Sequence, residues 1–430
     1  MIRALHVFPL FGRDLTNGSE QYAYHLTQSL ARLPVSVDVV TTQARQLRLP
    51  SLFSAQWRNE YRSGLEELDR MPVRRFPVTA SLPPFLGRVL SLLIWRRWQS
   101  EVSRDRSLGA VGPDRAAALF QRANARPKVY HWLTLLGLGP WSWPMWRWLG
   151  RAIPSYDIVL VSFSPLAIIW QVASLAHRAG KPVVILPLAH LDDLYHHLTP
   201  LYASYRQAAA LLTMTAYSSA IFKQLLPASN PVEVGAGVDV AEFSGPEISG
   251  ERFRAQNGLG LNKLVLYVGR KERVKGYDLA VAAVNDIAAA DTQLIMVGED
   301  VDQQPIPSPY VRVLGKLPRA EVLDAYDACQ VFIFPSESES FGLVVLEAWM
   351  RRKPVIGNAA CGPLTALIEP GIDGYLCSTS QEMAQRVREL MADPTLCARL
   401  GEAGYQKVRA RYTWEHVSRR VYSVYQQVLG

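Results

Sequence analysis

The feature that most constrains the fold of this chain is an alternation of short apolar runs with amphipathic segments. The alternation occurs twice along the 430 residues, first over about 2–235 and again over about 264–411. Short apolar runs that alternate with segments of helical periodicity are typical of parallel strands covered by helices on both faces. The sequence therefore predicts an α/β protein with two tandem, doubly wound, Rossmann-like domains.

The predicted elements follow this alternation. In the first series we predict strands at 2–8, 35–41, 158–163, 182–187, 209–214 and 232–234, and helices at 18–32, 165–179 and 217–225. In the second series we predict strands at 264–268, 293–297, 311–314, 331–334 and 354–356, and helices at 276–289, 319–328, 342–351, 380–391 and 395–411. Glycines cluster over about 235–262, which indicates the join between the domains. Ligands of such sheets bind outside the carboxyl ends of the strands, so we expect the two domains to face each other across a ligand-binding cleft.

We therefore divide the chain into an N-terminal domain, 1–235, and a C-terminal domain, 236–413. A segment of about 45–150 interrupts the first series and is predicted to be a basic, tryptophan-rich insertion of amphipathic helices and turns. Between residues 70 and 151 there are 14 Lys and Arg against 3 Asp and Glu, and 7 of the 11 Trp. The net charge of the whole chain is +8, so this segment carries all of the excess.

Within the insertion, Trp95, Arg96, Arg97 and Trp98 follow an apolar run, 89–94. Tryptophan and arginine beside an apolar face are what an interfacial helix presents to anionic lipid headgroups. We therefore predict contact with an anionic membrane surface, and buried tryptophan packing is the alternative. A basic surface also suits nucleic acid, but we predict no nucleic-acid partner.

No apolar run is a convincing membrane span. The longest charge-free run, 158–176, contains Ser162, Ser164, Pro165 and Gln171, and it divides better into a strand, a turn and a helix. The four cysteines form no CxxC pair, so nothing indicates a zinc site or a disulfide framework. We expect a cytoplasmic protein that is peripheral on the inner face of the membrane.

The most informative local sequence begins at the apolar run Val331–Phe334, which ends at a proline. Residues 335–342, here called the acidic loop, follow this run and lead into a helical segment that contains Glu347. Backbone N–H groups at a helix N-terminus favour anions, and the carboxylates of Glu339 and Glu347 can accept hydrogen bonds from sugar hydroxyls. This pattern predicts a site for a phosphorylated, hydroxyl-rich ligand. Acidic residues also occur at helix starts for dipole reasons, and two carboxylates could serve a glycosidase.

Residues 269–276, here called the basic turn, follow the predicted strand 264–268 and contain Arg270 and Lys275. A phosphate site needs cations and close backbone approach, and a turn with glycine at both ends offers both. The turn lacks the GK[ST] of a Walker A loop, and no GxGxxG follows the first strand of the chain, which disfavours a dehydrogenase. A diphosphate site in the same domain also argues against hydrolysis, although a solvated basic turn remains the plain alternative.

Two features of the N-terminal domain point to the same ligand. The loop 12–20 joins the first strand to the first helix, and Gly18 lets the backbone approach a phosphate there. His190 ends the apolar run 183–189, at the expected ligand-binding edge. A plain loop and a structural histidine are the alternatives.

We predict no metal requirement and no cofactor. Asp192 and Asp193 do not form the DxD pattern that holds a metal-bound diphosphate, and the sequence at 337–339 is only similar to it. Arg270 and Lys275 can neutralise a diphosphate without a metal.

In this order, these motifs resemble the GT4 family of retaining glycosyltransferases, which have the GT-B fold. The resemblance covers nearly the whole chain except about 45–150. It is carried by Asn17-Gly18-Ser19-Glu20, Val238-Asp239, Val268-Gly269-Arg270 with Lys275-Gly276, Val297-Gly298, and Pro335-Ser336 through Glu347-Ala348 with its two glutamates. Ser340 departs from the pattern, because the family usually has glycine there, and Thr365 stands where the family commonly has glutamate.

The resemblance implies roles for individual residues. The implied catalytic residues are Arg270, Lys275, Glu339 and His190. The implied donor-binding residues are Gly18, Gly269, Gly298, Ser340, Phe341, Gly342, Leu343 and Glu347. Arg270 and Lys275 would bind the donor diphosphate, Glu339 would lie by the donor sugar, and Glu347 would hold the ribose hydroxyls. A final helix, 414–430, would cross back to the N-terminal domain.

The resemblance also implies the reaction. The protein would transfer a sugar, with retention, from a UDP- or GDP-linked donor to a hydroxyl of a glycan or lipid-linked acceptor at the membrane surface. The alternatives are a non-transferring relative such as a sugar-nucleotide epimerase, and a membrane-bound scaffold whose site has decayed. The residues do not identify the donor base, the sugar or the acceptor.

Overall fold

The computed structural model describes residues 1–15, 17–48, 56–79, 113–193 and 196–430, and the statements below concern these residues. They form two compact units. The N-terminal unit contains Met1–Gly235 together with Val417–Gly430, and the C-terminal unit contains Ala236–His416.

The N-terminal unit is built around one eight-stranded sheet with the strand order β10-β9-β8-β7-β1-β2-β6-β5. Neighbouring strands are parallel except for the pair β5 and β6, which is antiparallel. The strands of this sheet are β1 (Ile2–Val7), β2 (Val35–Thr42), β5 (Gly64–Leu68), β6 (Met71–Phe76), β7 (Ile158–Ser162), β8 (Val183–Leu186), β9 (Ala210–Thr213) and β10 (Pro231–Glu233). A separate antiparallel ribbon contains β3 (Ala44–Arg48) and β4 (Gln56–Asn59).

The described helices of this unit lie mostly between the strands in sequence. They are α1 (Gly18–Leu30), α2 (Pro113–Asn124), α3 (Lys128–Leu138), α4 (Trp143–Ala152), α5 (Ala167–Arg178), α6 (Thr199–Gln207) and α7 (Ala216–Leu225). The strand β7 is fully buried and α5 buries most of its residues, as expected for a strand and a helix inside a doubly wound layer.

The C-terminal unit contains a six-stranded sheet in which every neighbouring pair is parallel, with the order β13-β12-β11-β14-β15-β16. Its strands are β11 (Lys263–Val268), β12 (Thr292–Val297), β13 (Val311–Gly315), β14 (Val331–Phe334), β15 (Val355–Asn358) and β16 (Gly374–Cys377). Its helices are α8 (Gly250–Gln256), α9 (Tyr277–Ile287), α10 (Arg319–Ala328), α11 (Leu343–Met350), α12 (Gly362–Leu367), α13 (Ser380–Ala392) and α14 (Pro394–Arg411). The strand order reverses between β11 and β14, which is the point where open α/β sheets bind their ligands.

The last helix, α15 (Trp414–Leu429), begins in the C-terminal unit, and its residues from Val417 onward belong to the N-terminal unit. The hydroxyl of Tyr425 in this helix lies 2.9 Å from Nε2 of His6, which is a buried residue of β1. Burial lowers the pKa of His6 to about 3, so its imidazole is neutral at physiological pH. A neutral imidazole can hydrogen-bond Tyr425 through one ring nitrogen and Thr27 through the other. These contacts of His6 anchor the helix to the sheet.

The prediction of two doubly wound α/β sheets is confirmed, and so are most of the predicted elements. The predicted insertion is wrong for residues 64–76, because these residues form β5 and β6 of the main sheet. The strand β6 pairs with β2, from Val39 opposite Val73 to Thr42 opposite Phe76. Its sequence did not show a buried strand because Arg75 occupies an inward position.

Arg75 is buried because its guanidinium has internal partners. It donates to the carbonyl of Phe11 at 2.8 Å, pairs with Glu66 at 2.6 Å and lies 4.0 Å from the ring centre of Tyr61. A buried charge is tolerated only when it is paired in this way.

Candidate functional site

The candidate site of the C-terminal unit lies where β11 and β14 end side by side. Val265 and Leu266 of β11 pair with Val331 and Phe332 of β14, so both strands run to the same edge of the sheet. The basic turn follows β11 and the acidic loop follows β14. Neighbouring parallel strands therefore bring together two segments whose first residues, 269 and 335, are 66 residues apart in the sequence.

Hydrogen bonds join the basic turn to the acidic loop. The backbone N–H of Glu337 donates to the carbonyl of Val274 at 2.9 Å. Lys275 Nζ lies 2.7 Å from Glu339 Oε1 and donates to the carbonyl of Ser338 at 3.2 Å. The two charged side chains are only 13% and 11% exposed, so the ion pair is shielded from water on most sides. The structure thus brings together two of the predicted catalytic residues.

Two glycines allow the backbone to pack this closely. Gly276 has φ +67°, and a Cβ on it would lie 1.9 Å from the carbonyl oxygen of Pro335. Gly298, after β12, has φ +144°, and its Cβ would lie 1.9 Å from the carbonyl oxygen of Gly269. The same Pro335 carbonyl accepts a hydrogen bond from the buried Asn358 at 3.1 Å. A side chain at either glycine would force the loops at the sheet edge apart.

The basic turn contains four cations, of which Arg270, Lys271 and Lys275 have the closer ion-pair partners, and these three differ in their surroundings. Arg270 is 55% exposed and its guanidinium lies 3.0 Å from Glu272. Lys271 is buried and pairs with Asp300 at 2.8 Å, which ties the turn to the loop after β12. Lys275 pairs with Glu339, as described above. Arg270 is therefore the cation of these three whose side chain is most accessible to a ligand.

Glu347 lies on α11, and its carboxylate is held by two residues that the sequence analysis missed. Arg319 Nη1 lies 2.8 Å from Glu347 Oε1, and the hydroxyl of Tyr326 donates to Oε2 at 2.9 Å. Both partners come from α10, 28 and 21 residues earlier in the chain. No local sequence pattern indicates such a contact, because it depends on how α10 and α11 are positioned around the sheet.

The residues between Glu339 and α11 offer mainly backbone groups. Phe341 is buried, and its ring lies edge-on to Tyr412 with 5.7 Å between the ring centres. Gly342 has φ +102° and immediately precedes α11, which begins at Leu343. Ser340, the residue directly after Glu339, is half-buried and carries the one side-chain hydroxyl of this stretch.

The predicted residues of the N-terminal unit lie at the carboxyl edge of its own sheet. Gly18 is the first residue of α1. His190 follows β8, and its ring centre lies 5.6 Å from that of His196. His196 is buried with its Nδ1 3.1 Å from the hydroxyl of Ser164. Burial, together with the neighbouring histidines His190 and His197, holds the pKa of His196 well below its usual range, so it is neutral near pH 7.

The predicted membrane-contact residues Trp95, Arg96, Arg97 and Trp98 lie outside the described residues. In the described part of the chain, no helix has the length and apolar character needed to cross a membrane.

At the edge of the C-terminal sheet, cations and carboxylates lie side by side on backbone loops packed at close range. Cations there can bind phosphate groups, and carboxylates can accept hydrogen bonds from sugar hydroxyls. The chemistry that this arrangement suits is the binding of a phosphorylated, hydroxyl-rich ligand.

Comparison with known protein families gives a match within the C-terminal half of the chain. Residues 250–407 match the family described as "Glycosyl transferases group 1". This match contains the basic turn, the acidic loop and the two residues that hold Glu347.

Curated relatives match over a similar extent. The chain is 33% identical over 205 residues to a GDP-mannose-dependent alpha-mannosyltransferase of Mycolicibacterium smegmatis. This match covers 46% of this chain and 51% of that protein. The chain is 27% identical over 221 residues to a D-inositol 3-phosphate glycosyltransferase of Corynebacterium aurimucosum, covering 47% of this chain and 52% of that protein. The chain thus spans about half the length of the curated relatives it matches.

Among solved structures, the fold is similar to that of Anabaena Alr3699/HepE in complex with UDP. The TM-score is 0.67 at 17% sequence identity, and the match covers 99% of this chain and 100% of the other. At this identity the likeness shows the fold alone, and the fold it shows is GT-B.

Proposed function

We propose that this chain, whose residues 250–407 match the group 1 glycosyltransferases and which has the GT-B fold, is a GT4-type glycosyltransferase that transfers a sugar with retention. The donor is a UDP- or GDP-linked sugar, and the acceptor is a hydroxyl of a glycan or a lipid-linked molecule. The observation that carries the proposal is the Lys275–Glu339 ion pair beside Arg270, at the point where the strand order of the C-terminal sheet reverses.

On this proposal, Arg270 and Lys275 bind the diphosphate of the donor. Both are cations on a turn whose backbone packs closely against the acidic loop, and Arg270 is accessible to solvent. Glu339 accepts hydrogen bonds from the donor sugar while its other contact, with Lys275, fixes its position. Backbone groups of Phe341, Gly342 and Leu343 hydrogen-bond the sugar and phosphate groups.

The proposed reaction occurs on one face of the sugar. The bond between the anomeric carbon and the phosphate oxygen breaks, and the bond from the acceptor oxygen to the same carbon forms on the same face. The acceptor proton passes to the leaving phosphate, and the nucleoside diphosphate departs. Arg270 and Lys275 stabilise the charge that develops on that phosphate, and such electrostatic stabilisation is usually the largest single contribution to catalysis.

We propose further that neither a metal ion nor a cofactor takes part. Arg270 and Lys275 supply the positive charge that a metal would bring to a diphosphate. As the resemblance implies, His190 is proposed to approach the donor sugar, and the loop that contains Gly18 is proposed to close over the phosphates.

We also propose that the protein works as a peripheral protein at an anionic membrane surface on the cytoplasmic side. An apolar face of α3 supports this, since Val129, Trp132 and Leu136 are exposed at helical spacing. Trp143, at the start of α4, is 63% exposed. Residues 113–151 contain six Lys and Arg against one Asp, so the exposed apolar groups lie in a basic part of the chain.

Neutralising Arg96 and Arg97 together should release the protein from anionic vesicles. Basic residues near such a surface contribute about 1 kcal/mol each, so we expect binding of the Arg96→Gln, Arg97→Gln variant to weaken about tenfold or more. The measurement is co-sedimentation with phosphatidylglycerol-containing vesicles. A matched control is the Arg386→Gln, Arg388→Gln variant, which removes two arginines from α13 of the C-terminal unit. Unchanged binding of the first variant would remove the membrane proposal.

A thermal-shift screen with UDP, GDP and ADP tests the donor proposal. Binding to the native state raises the apparent stability, and a ligand at 100 times its Kd adds about 2.7 kcal/mol. We expect UDP or GDP to raise the Tm by several degrees, and ADP to raise it less. A Tm that none of the three nucleotides changes would contradict the proposed function.

A further inference from the structure

Arg319 connects two carboxylates beside the candidate donor site. It is the first residue of α10, and its Nη1 lies 2.8 Å from Glu347 Oε1. The other edge of the guanidinium donates to both oxygens of Glu242, from Nε at 2.8 Å and from Nη2 at 3.2 Å. The guanidinium carbon also lies 5.3 Å from the ring centre of Phe243. These contacts fix the plane of the guanidinium from two sides.

The guanidinium of Arg319 keeps its positive charge in this position. Burial by itself would lower the pKa of the guanidinium, but the carboxylates of Glu347 and Glu242 raise it well above its usual range. Arg319 therefore stays protonated, and it presents a fixed cation to Oε1 of Glu347 at every physiological pH.

Tyr326 holds the second oxygen of the same carboxylate. The side chain is buried, and its hydroxyl donates to Glu347 Oε2 at 2.9 Å. Burial, with the nearby charge of Glu347, raises the pKa of Tyr326 well above its usual range. The phenol therefore keeps its proton and remains a donor.

With these two contacts made, the Glu347 carboxylate can still accept hydrogen bonds from a ligand. Each carboxylate oxygen can accept about two hydrogen bonds, so Arg319 and Tyr326 occupy one position on each oxygen. One position on each oxygen remains, and two neighbouring acceptors match the two hydroxyls of a vicinal diol.

We propose that Arg319 and Tyr326 are positioning residues that orient Glu347 to bind the vicinal diol of the donor ribose, with Glu242 fixing Arg319 from behind. This inference rests on the proposed function, because it takes a nucleotide as the ligand. It adds to that function the residues that set how strongly the protein distinguishes a ribonucleotide from its deoxy analogue.

The test uses the full chain and whichever of UDP and GDP raises the Tm, together with the 2′,3′-dideoxy form of the same nucleotide. Calorimetry gives the Kd of each for the wild type and for Tyr326→Phe, which removes only the buried hydroxyl. A hydrogen bond to a charged group corresponds to about a tenfold or larger change in affinity. We expect Tyr326→Phe to weaken ribonucleotide binding about tenfold and dideoxynucleotide binding less than about twofold.

Arg319→Lys provides a second variant, because it keeps the charge and loses the planar fork that contacts two carboxylates at once. We expect it to lose ribonucleotide affinity in the same selective way. The matched control is Arg386→Lys, since Arg386 also pairs with a glutamate, Glu389 at 2.7 Å, and stacks on an aromatic ring, Tyr375 at 4.4 Å. The control should bind both nucleotides as the wild type does.

The contrary results distinguish a failure of the positioning role from a failure of the nucleotide site. If the wild type prefers the ribonucleotide and both variants keep that preference in full, the positioning role of Arg319 and Tyr326 is wrong while the nucleotide site stands. Equal losses for both nucleotides would make the two residues merely structural and would also overturn the inference. If the wild type binds both forms equally, Glu347 does not hold the ribose, and its place in the proposed function fails with the inference.

Discussion

We expect the Arg270→Ala variant to lose about 100- to 1,000-fold in kcat while it unfolds at the wild-type temperature. Removing one preorganised group that stabilises a developing negative charge typically costs this much. The fold should tolerate the change because the side chain of Arg270 is 55% exposed and pairs only across one turn with Glu272. The measurements are steady-state release of the nucleoside diphosphate from the donor identified by the nucleotide screen, and a thermal melt.

A neighbouring arginine supplies the control for this variant. Arg273 lies in the same basic turn, its side chain is 87% exposed, and it lies 3.9 Å from Asp278. Arg273→Ala removes the same charge from the same turn, and we expect its kcat to stay within about threefold of the wild type because weak surface ion pairs contribute little. Near-normal turnover in Arg270→Ala would contradict the role of Arg270.

We expect Gly276→Ala to lower the free energy of unfolding by about 3 kcal/mol and to reduce turnover strongly. Alanine at φ +67° is strained, and its Cβ would lie 1.9 Å from the backbone carbonyl of Pro335. The acidic loop must then move away from the basic turn, which separates Glu339 from Lys275. Chemical denaturation measures the first effect, and nucleoside diphosphate release from the donor measures the second.

Gly371→Ala is a control that has the backbone strain of a positive φ but no steric clash of the new Cβ. Gly371 has φ +79°, and a Cβ there would meet no atom within 4 Å. We expect this control to cost about 1–2 kcal/mol, the strain alone, and to leave turnover unchanged. If Gly276→Ala behaves like Gly371→Ala in both measurements, the close packing of the two loops does not matter to the site.

The sequence predicted the strand and the helix that carry the candidate site of the C-terminal unit well, because their signals are local. The apolar run Val331–Phe334 is a strand within the same bounds, and the helix predicted at 342–351 forms as α11 (Leu343–Met350). The contact between Lys275 and Glu339 crosses 64 residues, yet neighbouring strands of a parallel sheet end at one edge, which makes such a contact predictable.

Other features depend on tertiary contacts that no short pattern reveals. The sequence of β6 predicts part of an insertion because Arg75 occupies an inward position, and the burial of Arg75 depends on its contacts with Phe11, Glu66 and Tyr61. The contacts of Arg319 and Tyr326 with Glu347 were missed because their geometry depends on the packing of α10 and α11.

The central claim is that the basic turn of the C-terminal unit binds a nucleoside diphosphate. Calorimetric titration of UDP and GDP into the wild type and into Lys275→Met tests it most directly. We predict that at least one of the two nucleotides binds the wild type, and that Lys275→Met binds it about tenfold or more weakly, as expected for the loss of a charge-assisted contact. Binding of equal strength in Lys275→Met, or no binding of either nucleotide to the wild type, would contradict the claim.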